Sequence, residues 1–175
     1  MGTEQDQTLS ALQTAIQMEI DGKEYYLEAS RKSSNKLGRE LLQTLAVEED
    51  YHRQKFQSIF DTIRDKNEWP VVDIRPEGGK LLRTILARAE GNDSSIEASD
   101  TELDAVQTAI DMESKTYDFY KSQGSDARYG AERDFYEVLA AEERQHQLVL
   151  LDYHEYLKDP AAWFVNKERP SLDGG

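Results

Sequence analysis

The sequence predicts an all-α protein, a four-helix bundle made of two antiparallel helical hairpins joined by one long crossover connection. Three observations predict it. Apolar residues recur at alternating three- and four-residue spacing along four separate stretches, the pattern of helices with one buried face. The first half returns in the second: Ala11, Gln13, Thr14, Ala15, Ile16, Met18 and Glu19 recur 94 positions later as Ala105, Gln107, Thr108, Ala109, Ile110, Met112 and Glu113, as in a duplicated hairpin. A Glu occupies all four stripes at a position where a helix should bury a hydrophobic residue, and two of the stripes add a His.

The first helix follows from Leu9, Leu12, Ile16, Glu19, Lys23 and Tyr26, and the second from Leu42, Leu45, Glu49, His52, Phe56, Ile59 and Ile63. Leu103, Val106, Ile110, Glu113, Tyr117 and Tyr120 form the third stripe, and Tyr136, Leu139, Glu143, His146, Leu150, Tyr153 and Leu157 the fourth. The polar stretches Ser30 to Gly38 and Ser122 to Gly130 supply short reversals, so the helices within each half are antiparallel neighbours. The segment between the halves contains Pro70, Pro76, Gly78 and Gly79, then a helix-like run from Lys80 to Glu90, then Gly91 to Ser95. A connector of that length can run the full length of a bundle. Ser99 with Glu102 reads as a capping box at the start of the third long helix. Asp159 and Pro160 end the fourth, and Trp163 and Phe164 in the following tail are placed to dock against the bundle or a partner. The reading is one domain over 1–175: a hairpin at 9–64, a crossover at 65–101, a hairpin at 102–158 and a tail at 159–175.

Composition narrows the function. With 175 residues and 38% hydrophobic content the chain can enclose one core. Its 35 acidic against 21 basic residues give a net charge of -14, which repels nucleic acid and anionic membranes. The first ten residues are polar and acidic, no apolar run is long enough for a membrane span, and the Met1-Gly2 start lacks the Ser or Thr at position 6 of a myristoylation signal, so a cytoplasmic protein is expected. The absence of cysteine excludes thiol catalysis, disulfides and cysteine-ligated metals in these residues.

The chemistry lies in the spacing. Three residues on a helix separate Glu49 from His52 and Glu143 from His146, so each pair shares a face and can reach one metal ion. Glu19 and Glu49 are 30 residues apart, as are Glu113 and Glu143, which sets the carboxylates of both hairpins at matching heights. Four buried carboxylates would each cost several kcal/mol without a cation, and two divalent ions balance them. Glu49 and Glu143 are expected to bridge the ions, with Glu19 and His52 at one end and Glu113 and His146 at the other. Carboxylate oxygen with imidazole nitrogen suits iron, manganese or cobalt and also accepts zinc. Tyr26 and Tyr120 each follow a candidate ligand by seven residues, and their hydroxyls lean back toward the metal layer, where they can hydrogen-bond a ligand Glu. Glu48 and Glu142 fall off the stripes and read as solvated, and His154 has no counterpart in the repeat. Lys23 stands where the repeat has Tyr117, and it is expected to snorkel or to pair with a carboxylate.

On Glu19-x6-Tyr26, Glu49-x-x-His52, Glu113-x6-Tyr120 and Glu143-x-x-His146, the chain resembles the ferritin-like superfamily and, within it, the rubrerythrin-type di-iron proteins. The ligand arrangement is one already known for di-iron and di-manganese carboxylate bundles. The resemblance implies two iron ions and the reduction of hydrogen peroxide. Rubrerythrins draw electrons from a rubredoxin domain with four cysteines, which these residues lack, so an external electron-donor protein is implied. Rubrerythrins also carry a further Glu three residues after the third-helix ligand, where this chain has Thr116. Bacterioferritins share the six ligands but carry a haem-binding methionine where Asp50 stands. The long connector and the tail from Asp159 to Phe164 look more like stand-alone rubrerythrin-domain proteins. The expected function is a di-iron oxidoreductase acting on peroxide or dioxygen, in a homodimer. Ferroxidase activity with iron storage or delivery is the alternative, and a metal-stabilised interaction bundle without catalysis is the third reading.

Overall fold

The computed structural model describes residues 3–75, 78–89 and 98–168. Met1 and Gly2, Pro76, the Glu90 end of the helix-like run, the stretch Gly91 to Ser95 and the tail beyond 168 lie outside the described residues. The described residues form six helices and no strand: α1 (Glu4–Lys32), α2 (Lys36–Lys66), α3 (Gly78–Ala87), α4 (Asp100–Asp126), α5 (Gly130–Lys158) and α6 (Pro160–Glu168). No described helix is long and apolar enough to cross a membrane.

The stripe beginning at Leu9 understates α1, which starts at Glu4 because Thr3 and Asp6 form a reciprocal capping box, with Asp6 N–H 3.2 Å from Thr3 Oγ1 and Thr3 N–H 2.7 Å from Asp6 Oδ2. At the far end of the first hairpin, Asn35 caps α2 by accepting the Gly38 N–H at 2.6 Å. Asn67 closes α2 in the left-handed region, φ 52°, a conformation that Asn tolerates better than most residues. The expected box at Ser99 forms only in part. Ser99 Oγ accepts the Glu102 N–H, but the Glu102 carboxylate turns away to the α1–α2 reversal, where Ser33 Oγ and Ser34 Oγ donate to it at 2.9 and 2.7 Å. A side chain predicted to cap its own helix instead ties the second hairpin to the first.

Helices α1 and α2 pack as one hairpin and α4 and α5 as the other, α1 meets α4, and α3 lies against α2 and α5. The crossover begins with buried Trp69, whose ring stands 6.0 Å from those of Phe135 and Tyr136. Gly78 and Gly79 let the start of α3 come close: a Cβ on Gly78 would fall 2.2 Å from Glu48 Oε2, and one on Gly79 would fall 2.9 Å from Gln145 Cβ. Pro160, at the first position of α6, stops α5 and starts a new helix. Trp163 docks on the chain's own bundle, donating to Asp152 Oδ1 at 2.8 Å and meeting Tyr156 edge-on at 5.2 Å.

Two apolar clusters fill the bundle. One gathers Leu41, Leu42, Leu45, Leu82, Val106, Ile110, Leu150 and Tyr153, and the other gathers Leu12, Phe56, Ile59, Tyr120, Phe135, Tyr136 and Leu139. In α2 the order Leu45, Glu49, His52, Phe56 puts the polar layer between them, and Leu139, Glu143, His146, Leu150 does the same in α5. At the reversal between α1 and α2, Tyr153 is fully buried and its hydroxyl accepts from Asn35 Nδ2 at 3.1 Å. A Cβ at Gly38 would meet that hydroxyl at 2.1 Å and Ser33 Oγ at 2.6 Å. Gly38→Ala should therefore destabilise the fold by about 1–3 kcal/mol, read as a lower urea midpoint at unchanged slope.

Candidate metal centre

All six ligands expected from the sequence converge in the polar layer, and each is at most 4% exposed. Oxygens of Glu19, Glu49 and Glu143 with a nitrogen of His52 lie within 4.8 Å of one another, and so do oxygens of Glu49, Glu113 and Glu143 with a nitrogen of His146. Glu49 and Glu143 belong to both groups. His52 Nδ1 is 3.0 Å from Glu143 Oε1 and 3.5 Å from Glu19 Oε2. His146 Nδ1 is 3.2 Å from Glu49 Oε1, 3.5 Å from Glu113 Oε1 and 3.6 Å from Glu143 Oε2. The two imidazole rings face each other, centroids 5.6 Å apart and tilted by 14°.

Close as they are, these groups do not satisfy one another. Glu19 Oε2, Glu49 Oε1, both oxygens of Glu143 and Nδ1 of both histidines are buried and lack an aligned hydrogen-bond partner among the described residues. Buried polar atoms almost always have a partner, and six such atoms aimed at a shared centre fit divalent metal ions. The donor set of carboxylate oxygen and imidazole nitrogen fits iron, manganese or zinc alike.

The tyrosines cross between the halves. Tyr26 on α1 donates its hydroxyl to Glu113 Oε1 on α4, and Tyr120 on α4 donates to Glu19 Oε1 on α1. Both phenols sit well above their ordinary pKa, because burial and then the neighbouring carboxylates disfavour the phenolate. Each remains a donor and fixes one oxygen of a candidate ligand, and at Glu19 the other oxygen, Oε2, has no partner among the described residues.

Among the carboxyls, burial dominates at Glu49, which is pushed well above the usual range, and at Glu113, pushed up to about 8. At Glu143 burial acts in the same sense, but contacts from His146 and His52 outweigh it and hold the group well below that range. Burial would lower both imidazoles. Facing carboxylates, led by Glu19 for His52 and Glu113 for His146, raise them instead.

Residues 10–92 match the family model described as Rubrerythrin, a span that includes Glu19, Glu49 and His52. Over that stretch the chain is similar to rubrerythrins. The all-helical bundle is consistent with the ferritin-like fold of that family, and the buried Glu and His cluster is compatible with di-iron binding. No curated protein and no solved structure is matched. The family match ends before Glu113, Glu143 and His146, which the internal repeat and the geometry bring into the centre.

Several residues around the centre stand differently from their sequence reading. Glu142, expected to be solvated, is 4% exposed, because α3 lies over the α2 and α5 faces that carry Glu48 and Glu142, and Glu48 is half-buried. Thr116, where rubrerythrins carry a further Glu, donates its hydroxyl to Met112 O at 3.1 Å and offers the centre no carboxylate. Lys23 does pair with a carboxylate, Asp50, at 2.9 Å. With Arg53 and Gln54 also donating, Asp50 is held down at about 2. His154 stays partly exposed, outside the cluster.

Gly22 is a site residue that periodicity passes over. A Cβ there would fall 2.6 Å from Glu49 Oε2, so the missing side chain makes room for that carboxylate. A glycine inside a helix, one turn after a candidate ligand, was the available signal. Gly22→Ala should retain helical content while weakening metal affinity roughly 10–100-fold, as measured by competition with a chromophoric chelator. Protons and cations compete for the same atoms, so affinity should rise with pH. Loading zinc near pH 6.5, below the Glu113 value of about 8, should release more protons per ion than loading near pH 9. Calorimetry in buffers of different ionisation enthalpy measures the release, and equal release at both pH values would contradict this.

Proposed function

We propose that Glu19, Glu49, His52, Glu113, Glu143 and His146 hold two iron ions, and that the chain uses them to reduce peroxide or dioxygen with electrons from a separate donor. The observation that carries this reading is the set of buried, unpartnered oxygens and Nδ1 atoms converging between two apolar clusters. The rubrerythrin domain supports iron as the metal. Glu49 and Glu143 would be shared between the two ions, since each belongs to both ligand groups.

The bound irons would supply the electrons, two for each peroxide, which with two protons becomes two waters. The chain's own residues prepare that chemistry in three ways. The apolar clusters above and below exclude bulk water from the layer, so charges there interact strongly. Tyr26 and Tyr120 fix the orientation of Glu113 and Glu19 across the bundle and keep their protons at the phenol oxygen. Both histidines present Nδ1 to the layer, which sets the nitrogen available to the inner ions. Because the 175 residues contain no cysteine, they hold no cysteine-ligated iron, and the proposal assigns re-reduction to another redox centre.

The test is stopped-flow absorption of the reduced, iron-loaded protein mixed with peroxide. The proposal predicts oxidation faster than that of free ferrous ion and two irons per chain, and oxidation no faster than free ion would contradict it. Tyr120→Phe removes the bond that orients Glu19 and should lower the rate or iron affinity roughly 10–100-fold without unfolding the bundle.

A further inference from the structure

Outside the six inner residues, a second group of possible ligands lies on the α3 side of the centre. Oxygens of Glu48 and Glu142 and a ring nitrogen of His146 lie within 4.8 Å of one another. Glu142 is 4% exposed, and neither carboxylate has an ion-pair partner among the described residues. His146 is fully buried. Its Nδ1 is turned to the inner carboxylates, and its Nε2, on the other edge of the ring, has no hydrogen-bond partner among the described residues. Two unpaired acids and an unpartnered imidazole nitrogen that meet in a covered place form a cation site in chemical terms.

The surroundings give this group a path to solvent. A cavity of about 670 Å³ lies beneath the start of α3 and is lined by Glu48, Tyr51, Arg75, Gly78, Lys80 and Thr84. Arg75 and Lys80 are exposed, and neither is ion-paired with Glu48. Glu48 belongs to both the cavity and the outer group, and His146 belongs to both the outer group and the inner layer. The order from solvent inward is therefore cavity, Glu48 and Glu142, His146, inner carboxylates.

We propose that Glu48, Glu142 and Nε2 of His146 form a loading station for a divalent first-row metal ion passing from the α3-side cavity to the inner centre. A neutral imidazole has one nitrogen free to bind a metal while the other carries the proton. His146 can serve an outer ion through Nε2 or an inner ion through Nδ1, and the outer position is emptied as the inner one fills. This makes the station transient and accounts for one buried and one half-buried acid beside the centre that the ligand set does not use. The inference rests on the inner centre binding metal, and its failure can be told apart from failure of that reading.

Cobalt(II), followed anaerobically by its visible absorption in stopped flow, reads both. Wild-type protein should take up two cobalt ions per chain. The Glu48→Gln/Glu142→Gln double variant should also finish at two but load at least about tenfold more slowly. Gly78→Ala keeps both acids and moves Glu48 with its new Cβ, and it should slow loading as well. An exposed control pair, Glu24→Gln/Glu137→Gln, removes the same charge elsewhere and should load at the wild-type rate. Wild-type loading rates in the double variant, equal slowing by the control pair, or an end-point below two in the double variant would each overturn the loading station. A wild-type end-point below two would instead overturn the inner centre.

Discussion

Everything in this bundle is arranged around the burial of four carboxylates and two imidazoles in one layer, where oxygens of Glu19, Glu49 and Glu143 and Nδ1 of both histidines lack aligned partners among the described residues. Such groups are costly in an apolar interior, and an unpaired buried charge costs several kcal/mol even after relaxation. The protein surrounds the layer with close-packed Leu, Ile, Phe and Tyr on both sides, so water cannot supply the missing interactions. It then positions the ligands from four helices, so no single helix can shift to relieve the strain. In the proposed reading a pair of divalent cations would resolve the conflict, and the rest of the fold would serve to keep that solution available.

The duplicated halves are wired to each other more than to themselves. Tyr26 reaches Glu113 and Tyr120 reaches Glu19, while Glu102 leaves its own helix end to bind the reversal of the other hairpin. Each ligand layer therefore depends on both halves being docked. The symmetry is also broken where it matters chemically. Gly22 makes room for Glu49, while its counterpart Thr116 is occupied with its own helix carbonyl. Aromatic packing surrounds Tyr120 through Phe56 and Tyr136, whereas Tyr26 sits in the cluster that holds Leu41, Leu42 and Leu45. The two ends of the centre thus have different surroundings despite equivalent ligands.

The four long helices and all six converging side chains were legible because a charged residue at a core position of an amphipathic stripe has few physical explanations, and the repeat supplied it twice. What escaped was set by elements with no repeat. Glu142 looked solvated because a stripe describes one face, but α5 is covered by α4, α3 and α6, so more than one of its faces is buried. Glu102 carried the local signature of a capping box, and a tertiary partner took its carboxylate instead. The start of α1 at Glu4 and the helix α6 were missed because polar residues hide a helix end whose stability comes from capping and docking.

The most direct test of this account is anomalous X-ray diffraction from crystals of the iron-loaded protein, with data collected on both sides of the iron edge. The account predicts two peaks in the buried layer, one beside Nδ1 of His52 and one beside Nδ1 of His146, with density from Glu49 and Glu143 reaching both. A loaded crystal with no iron in that layer, the carboxylates bonded to one another instead, would contradict it.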